Sequence, residues 1–465
     1  MDANRLPELD FTDKPVTVVG LGIEGVDLAR FLCRQGASVT VSDSRTREQL
    51  ADRLGEIADL PVALSLGSAQ EADLAAADEI FVSQGVPLEL AGLRAARDKG
   101  ADLRSMMGLF LDICPGPTVG ITGSSGKTTT TALVGEMFEA DERPFFVGGN
   151  IGIGLLNHLP AIRPYTWSVL EVSHTQLQLV ERSPHVAAVL NITPNHLDRF
   201  TWEEYRQLKA SILTYQTADD VAVLGYDDPE CRAMEPLVKG RLLRFSGGSE
   251  LPGDGVSVRG GRAILRMGRM KEELFRLGDV RLRGRHNQVN AVAAAAIASA
   301  CGISPDAISC AVEAFRSVPH RLEFVGESAG VSYYNDSIAT TPERTVAGLR
   351  SFDEPVVLLL GGRDKHLPLD DLAREASQRC RSVILFGESA AKIEEAFGGS
   401  PLPLARVESL TEAMQKAKTV ARPGDVVLLS PACTSYDAYD NFEQRGEDFR
   451  ALVAGMVKEV LPSLR

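Results

Sequence analysis

The chain has 465 residues, too many for one hydrophobic core, so roughly two to four domains are expected. Its 44% hydrophobic and 24% charged residues suit a globular fold with filled cores. The net charge of −14 argues against a nucleic-acid partner and leaves any phosphate-rich ligand to be held by local cations. Seven cysteines, at positions 33, 114, 231, 301, 310, 380 and 433, form no CxxC pair and read as reduced core residues. The N-terminus lacks a signal-peptide pattern, and no apolar run approaches the roughly 18 residues of a membrane span. A cytoplasmic protein without membrane insertion is expected.

The first domain is expected over residues 1–105. Pro15 to Val19 reads as a buried strand running into Gly20-Leu21-Gly22-Ile23-Glu24-Gly25, and helical periodicity follows from Val26 to Gln35, capped by Gly36. A second strand, Ala37 to Ser42, ends in Asp43-Ser44-Arg45. A GxGxxG turn with an acidic residue about 20 positions on is the dinucleotide-fold fingerprint. Asp43 suits a ribose or base edge, with Arg45 near a phosphate. A βαβ unit that merely needs tight glycine turns has the same pattern, so the fingerprint does not choose a nucleotide. Glu79 to Ser83 is a further strand, with Gln84-Gly85-Val86-Pro87 at its carboxyl end, where ligands of open α/β sheets gather.

A second domain is expected over residues 106–316, with Cys114-Pro115-Gly116-Pro117 as its linker. Its centre is Val119 to Thr130, an apolar run entering Gly123-Ser124-Ser125-Gly126-Lys127-Thr128-Thr129 and then a helix. Glycines let backbone N–H groups turn onto an anion, and the helix N-terminus adds partial positive charge. Lys127 can offset β/γ-phosphate charge, and the Thr128 hydroxyl can ligate Mg²⁺. The glycine spacing departs from the full GxxxxGK[ST] pattern. Phe145 to Val147 is a strand before Gly148-Gly149-Asn150-Ile151-Gly152. Trp167 to Leu170 is a strand ending in Glu171-Val172-Ser173, which places a carboxylate within reach of a metal-bound phosphate.

Val186 to Leu190 delivers Asn191 to Arg199 to the same sheet edge, where His196 has three readings: metal ligand, phosphate orienter or partner of a buried carbonyl. Thr201 to Tyr215 is helical, with Thr201 and Glu204 spaced as a capping box. Lys209 lies inside that helix. Residues 221–283 read as a β-rich insertion, and Gly284 to Asn290 as a cap on the helix Ala291 to Ala300. Asn287 and Asn290, three apart, share one helical face.

A third domain is expected over residues 317–465. Strands Val331 to Tyr334, Pro355 to Leu360, Ser382 to Phe386 and Asp425 to Leu429 alternate with helices, so it is a doubly wound α/β unit. Polar clusters stand at strand ends: Asn335-Asp336-Ser337, Gly361-Gly362-Arg363-Asp364-Lys365 and Ser430 to Asp437.

Together these segments resemble the Mur ligases over essentially the whole chain. The carriers are the phosphate loop, Gly148 to Gly152, Glu171 to Ser173, Asn191 to Arg199, His286 to Asn290 and His320-Arg321-Leu322-Glu323. Asn335 to Ser337 and Gly361 to Lys365 follow, then Leu429 to Cys433 and Asn441-Phe442-Glu443-Gln444-Arg445-Gly446, close to the family's LSPAC…NFExRG signature. Ser125, Thr175, Asn195 and Ile338 depart from common family residues.

The resemblance implies three α/β domains: a Rossmann-like one for the UDP group, a central P-loop ATPase-like one, and a Rossmann-like one for the incoming amino acid. It implies a UDP-muramoyl site drawn from Gly22, Asp43, Ser44, Arg45, Ser83, Gly85, Asn150, Ser173 and Gln176. ATP would be bound by Gly123 to Thr129 with Asn287, Asn290, Arg321 and Asp336. Two Mg²⁺ ions would be held by Thr128, Glu171, His196 and a carbamylated Lys209. Thr340, Lys365, Ser435 and Phe442 would form the amino-acid site. Lys127, His196 and Lys209 would carry catalysis.

The implied reaction joins D-glutamate to UDP-N-acetylmuramoyl-L-alanine through an acyl phosphate, in a monomeric enzyme. Alternatives are L-glutamate or another amino acid on the same acceptor, or a folate polyglutamate synthase-like ligase. An NAD-type oxidoreductase would use the GxGxxG turn alone, and a non-catalytic nucleotide sensor would not need Lys127, Glu171, His196 and Lys209 together.

Overall fold

A computed structural model describes residues 10–67, 73–151, 154–194, 199–365, 367–398 and 401–460. The chain forms two compact units, one of residues 1–279 with 289–313 and one of residues 280–288 with 314–465.

The first unit holds two sheets. Strands β1 (Pro15–Val19), β2 (Ser38–Asp43), β3 (Ala63–Leu66), β4 (Glu79–Val82) and β5 (Asp102–Arg104) make a parallel sheet in the order β3-β2-β1-β4-β5. The order reverses between β1 and β4, and the glycine turn opens at that switch point, where such sheets bind ligands. The helix after it spans Ile23–Arg34, three residues earlier than its periodicity suggests, because the extended Gly22 already accepts the first helical N–H, from Val26.

Strands β6 (Thr118–Thr122), β7 (Phe145–Gly149), β8 (Trp167–Glu171), β9 (Val186–Val189), β10 (Val221–Gly225), β11 (Arg241–Ser246), β12 (Gly255–Arg259), β13 (Arg262–Met267) and β14 (Met270–Arg276) form the second sheet. Its order is β14-β13-β12-β11-β10-β9-β6-β8-β7. Residues 221–283 are therefore not a separate insertion. β10, β11 and β12 extend the parallel sheet from β9, and only β13 and β14 add to it in antiparallel hairpins. Strands β6 and β9 are buried on both faces, as parallel sheets covered by helices require. One apolar cluster joins the two sheets, running from Val18, Leu28 and Phe81 through Met107 and Phe110 to Leu170 and Val189.

The second unit is built on β15 (Glu323–Ser328), β16 (Val331–Asn335), β17 (Val356–Gly361), β18 (Cys380–Phe386), β19 (Leu404–Arg406) and β20 (Val426–Ala432), ordered β15-β16-β20-β17-β18-β19. All but β15 pair in parallel. Cores on both faces explain the near-continuous apolar runs of β17 and β20. β20 runs three residues beyond Leu429, through Ser430 and Pro431 to Ala432. The helix expected from Ala291 begins at Arg285, directly after Gly284 at φ +89°, so Asn287 and Asn290 lie within it. No helix among the described residues is long and apolar enough to cross a membrane.

Candidate active site

At the β1/β4 switch point the glycine turn is held from both neighbouring strands. Gly20 N–H donates to Ser42 O, and the Ser83 hydroxyl donates to Gly20 O at 2.7 Å. Asp43 is buried and does not present its oxygens outward. Oδ2 accepts Leu21 N–H and Arg45 Nη2, and Oδ1 accepts Arg45 N–H and Nε. Despite the opposing effect of burial, these bonds with Arg45 and Leu21 hold the Asp43 carboxyl below its usual range. Asp43 and Arg45 thus form a closed ion pair that braces the turn.

Two residues that the sequence reading left without a role, Glu24 and Gln84, tie this turn to the larger sheet. Glu24 Oε2 accepts Gln84 N–H at 2.6 Å, and Oε1 accepts Gln176 Nε2 at 2.9 Å. Gln84 Nε2 donates to Asn150 Oδ1 at 2.7 Å, and Asn150 Nδ2 donates to Glu171 Oε1 at 2.8 Å. Gln176 Oε1 in turn accepts Ser173 N–H. The carboxylates can only accept, so every amide in the path has one permitted orientation. The signal was an acidic residue inside the glycine turn, a place where most side chains are small.

The phosphate loop leaves β6, where the order of the second sheet reverses between β9 and β8. Gly126 has φ +82°, and a Cβ there would collide with Asn290 Oδ1, so glycine is required twice over. The helix Lys127–Ala140 starts directly after it and aims its first N–H groups at the loop. Asn191 pins the loop: Ser124 N–H donates to its carbonyl and Ser125 N–H to its Oδ1, both at 2.9 Å. Ser124 Oγ lies 3.0 Å from the Tyr205 hydroxyl.

Behind the loop lies Lys209, only 1% exposed. Its helix, Trp202–Thr214, carries the complete capping box at Thr201 and Glu204. Lys209 Nζ donates to Thr122 Oγ1 at 3.0 Å and to Gly123 O at 3.1 Å, and Lys127 Nζ donates to the same carbonyl at 3.0 Å. Burial, reinforced by the Lys127 ammonium and only partly countered by Glu171, pushes the Lys209 amine well below the usual lysine range. Glu171 stands opposite Ile121 in the β6–β8 register. It is buried, and its Oε2 has no hydrogen-bond partner.

Among the described residues no three His, Cys, Asp or Glu side chains gather as a metal cage. Mg²⁺ keeps several waters and commonly takes one or two carboxylates plus substrate phosphates. The orphaned Glu171 oxygen beside a phosphate loop fits that demand. His196 lies outside the described residues.

In the second unit the strand ends are drawn together by Arg445, which is fully buried. Its Nε donates to Ser337 Oγ, Nη2 to the Ser337 and Cys433 carbonyls, and Nη1 to Gly361 O, so it holds the segments just after β16 and β20 and the last residue of β17. Desolvation lowers it to about 10. The NFExRG segment was its signal, though not of this role.

Arg363 and Thr434 exchange backbone hydrogen bonds, which sets the Lys365 loop beside the turn of buried Ser435. Lys365 Nζ donates to Thr340 Oγ1 at 3.1 Å. The Phe442 carbonyl accepts the Ser337 hydroxyl at 2.7 Å, and its ring meets His320 edge-on. Four residues expected at an amino-acid site are thus on neighbouring segments. Buried Asp336 accepts Ser430 Oγ at 2.8 Å and Leu322 N–H at 3.2 Å, and desolvation raises it to about 7. Arg321 sits between His320 and Leu322, both at positive φ. Asn287 falls in this unit and donates to Arg283 O at 2.7 Å, whereas Asn290 belongs to the first unit.

Comparison with known proteins matches three segments of this chain. Residues 14–105 match the Mur ligase MurD-like N-terminal domain, 121–298 the Mur ligase middle domain, and 320–433 the Mur ligase glutamate ligase domain. The UDP-N-acetylmuramoylalanine–D-glutamate ligase of Symbiobacterium thermophilum is 43% identical over 94% of this chain and 97% of its own. That of Koribacter versatilis is 39% identical over 97% and 99%. Among solved structures, the MurC ligase of Thermotoga maritima shares the fold with TM-score 0.59 at 17% identity, covering 95% of this chain and 99% of its own. MurF of Acinetobacter baumannii does so with TM-score 0.58 at 18% identity over 91% of each chain.

Proposed function

The chain belongs to the Mur ligase family, and from that premise we propose that it adds D-glutamate to UDP-N-acetylmuramoyl-L-alanine with ATP, in peptidoglycan precursor synthesis. The observation that carries the chemistry is the cluster of half-buried Lys127, buried Lys209 and the half-unpaired Glu171 at the phosphate loop. Residues 1–105 would hold the UDP group, 106–316 ATP, and 317–465 the amino acid.

A free carboxylate does not form an amide, because oxide is not a leaving group. The alanyl carboxylate oxygen therefore attacks the γ-phosphorus of ATP, giving an acyl phosphate and ADP. The glutamate amine then attacks the carbonyl carbon, loses a proton, and phosphate leaves as the C–N bond is kept. Lys127 and the loop amides offset charge on the moving phosphoryl group. Gly22, Ser83 and Gly85 shape the acceptor pocket with Ser44 and the Asp43–Arg45 pair, while Asn150, Ser173 and Gln176 orient the muramoyl end.

Mg²⁺, when bound, supplies the positive charge that phosphoryl transfer needs, and Thr128, Glu171, His196 and Lys209 would hold its two ions. Lys209 would do so as a carbamate: its depressed basicity favours the neutral amine, which adds CO₂ with loss of a proton. His196 is also a candidate acceptor for the amine proton. Thr340, Lys365, Ser435 and Phe442 receive D-glutamate, and Asn287, Asn290, Arg321 and Asp336 the nucleoside end of ATP. The enzyme would act as a cytoplasmic monomer, where ATP and UDP-sugars are available.

The test is ADP release with UDP-N-acetylmuramoyl-L-alanine while D-glutamate, L-glutamate, meso-diaminopimelate and L-lysine are varied. D-glutamate alone should turn over well. Equal or faster use of L-glutamate overturns the stereochemistry, and use of a diamino acid overturns the assignment.

A further inference from the structure

Two cations of the second unit are held on one short turn. The turn Ile338-Ala339-Thr340 leaves β16 after Ser337, and Thr340 N–H closes it on Ile338 O at 2.9 Å. That same carbonyl accepts Arg344 Nη1 at 3.2 Å, from the first turn of the helix Pro342–Leu349. The Thr340 hydroxyl accepts Lys365 Nζ at 3.1 Å, from the loop after β17. Guanidinium and ammonium thus converge from two elements onto a segment three residues long. Neither has a carboxylate within ion-pair distance among the described residues, whereas neighbouring Asp364 pairs with Lys392 and Arg363 with Glu388. The Lys365 ammonium lies below its usual range, through desolvation first and Arg344 second, as expected where like charges share a site. Uncompensated like charges held together are a cost to the free protein, recovered when an anion enters between them.

We propose that Arg344 is a specificity-determining residue, forming with Lys365 a two-cation clamp that selects a dicarboxylic amino acid as the incoming nucleophile. The proposal rests on the reading of Lys365 and Thr340 as the amino-acid site. A planar guanidinium offers two parallel N–H donors to a carboxylate, which a lone ammonium cannot. Its backbone anchor on Ile338 O leaves further N–H groups for the ligand. Arg344 is exposed, so truncation leaves no buried hole.

The experiment compares Arg344→Ala, Lys365→Ala and Arg344→Ala/Ile338→Lys, the last returning a cation to the same turn. Arg344→Ala should raise KM for D-glutamate about tenfold or more, the weight of one charge-assisted contact, with KM for ATP and the thermal midpoint unmoved. The double variant should recover part of that loss, which a merely structural role would not allow. A raised KM for D-glutamate in Lys365→Ala but not in Arg344→Ala overturns the clamp and leaves the site assignment standing. No change in either variant overturns the site assignment as well. A loss in Arg344→Ala that is equal for ATP and D-glutamate also overturns the clamp.

Discussion

Replacing Asp336 by Asn should change how stability depends on pH, by an amount the structure allows to be worked out. The carboxyl is buried and raised from 3.8 to about 7, mainly by desolvation. Three units at about 1.36 kcal/mol each put the cost of ionising it in the folded chain on the order of 4 kcal/mol. The sign follows from proton counting. Between 3.8 and about 7 the folded state keeps a proton that the unfolded state has released, so stability falls as pH rises through that window and levels off above it.

Asparagine fits the same bonds. Its Oδ1 can accept Leu322 N–H, and its Nδ2 can donate to Ser430 Oγ, whose own hydrogen then serves Thr345 Oγ1 at 3.1 Å. Asp336→Asn should therefore match the parent near pH 4 and exceed it by a few kcal/mol at pH 8, on the scale just worked from burial. Both tryptophans, Trp167 and Trp202, lie in the first unit, so urea unfolding should be followed by far-UV circular dichroism, which also reports the second. Parallel pH profiles for the two proteins would refute the reasoning.

Lys127→Ala should lose roughly 10²–10³ in kcat, the scale of a deleted transition-state donor, with an unchanged thermal midpoint; near-normal turnover at saturating ATP would refute the reading of the loop. Lys209→Ala should be nearly inactive yet no less stable, because it removes a poorly solvated amine, and added acetate should restore part of the rate in a steady-state assay. Gly446→Ala should cost about 1–3 kcal/mol in urea unfolding, because its Cβ would collide with His320 Nδ1, which Asn335 Nδ2 also holds at 3.0 Å.

The chain's order of strands, glycine turns and helices was legible because its parallel strands carry unbroken apolar runs and the turns between them demand glycine. Val356 to Gly361 and Thr118 to Thr122 are buried along their whole length and could hardly be read otherwise. Residues 221–283 were misread as an insertion because short, half-polar strands look alike whether they extend a sheet or stand apart, and only pairing with β9 and β11 separates the cases. The start of the helix at Arg285 was only partly legible: apart from Val289, Arg285 to Asn290 is polar and reads as a cap, while the spacing of Asn287 and Asn290 already suits a helical face.

The chemical groups and the motifs that carry them were legible from the residues alone: a phosphate loop with its lysine, a carboxylate at a strand end, a lysine inside a helix, and polar clusters after parallel strands. Those follow from local rules of spacing and turn geometry. Which groups are buried, and what each one faces, depends instead on how the elements pack. Burial turns Lys209 from an ordinary helical lysine into a desolvated amine behind the phosphate loop. Pairing closes Asp43 onto Arg45, and a chain of oriented amides connects Glu24 to Glu171. Arg445 anchors three strand ends through carbonyl and hydroxyl oxygens, two of them, on Ser337 and Gly361, far from it in sequence. Desolvation and most of these hydrogen-bond directions depend on atoms brought together from tens of residues apart or more, which no local pattern encodes.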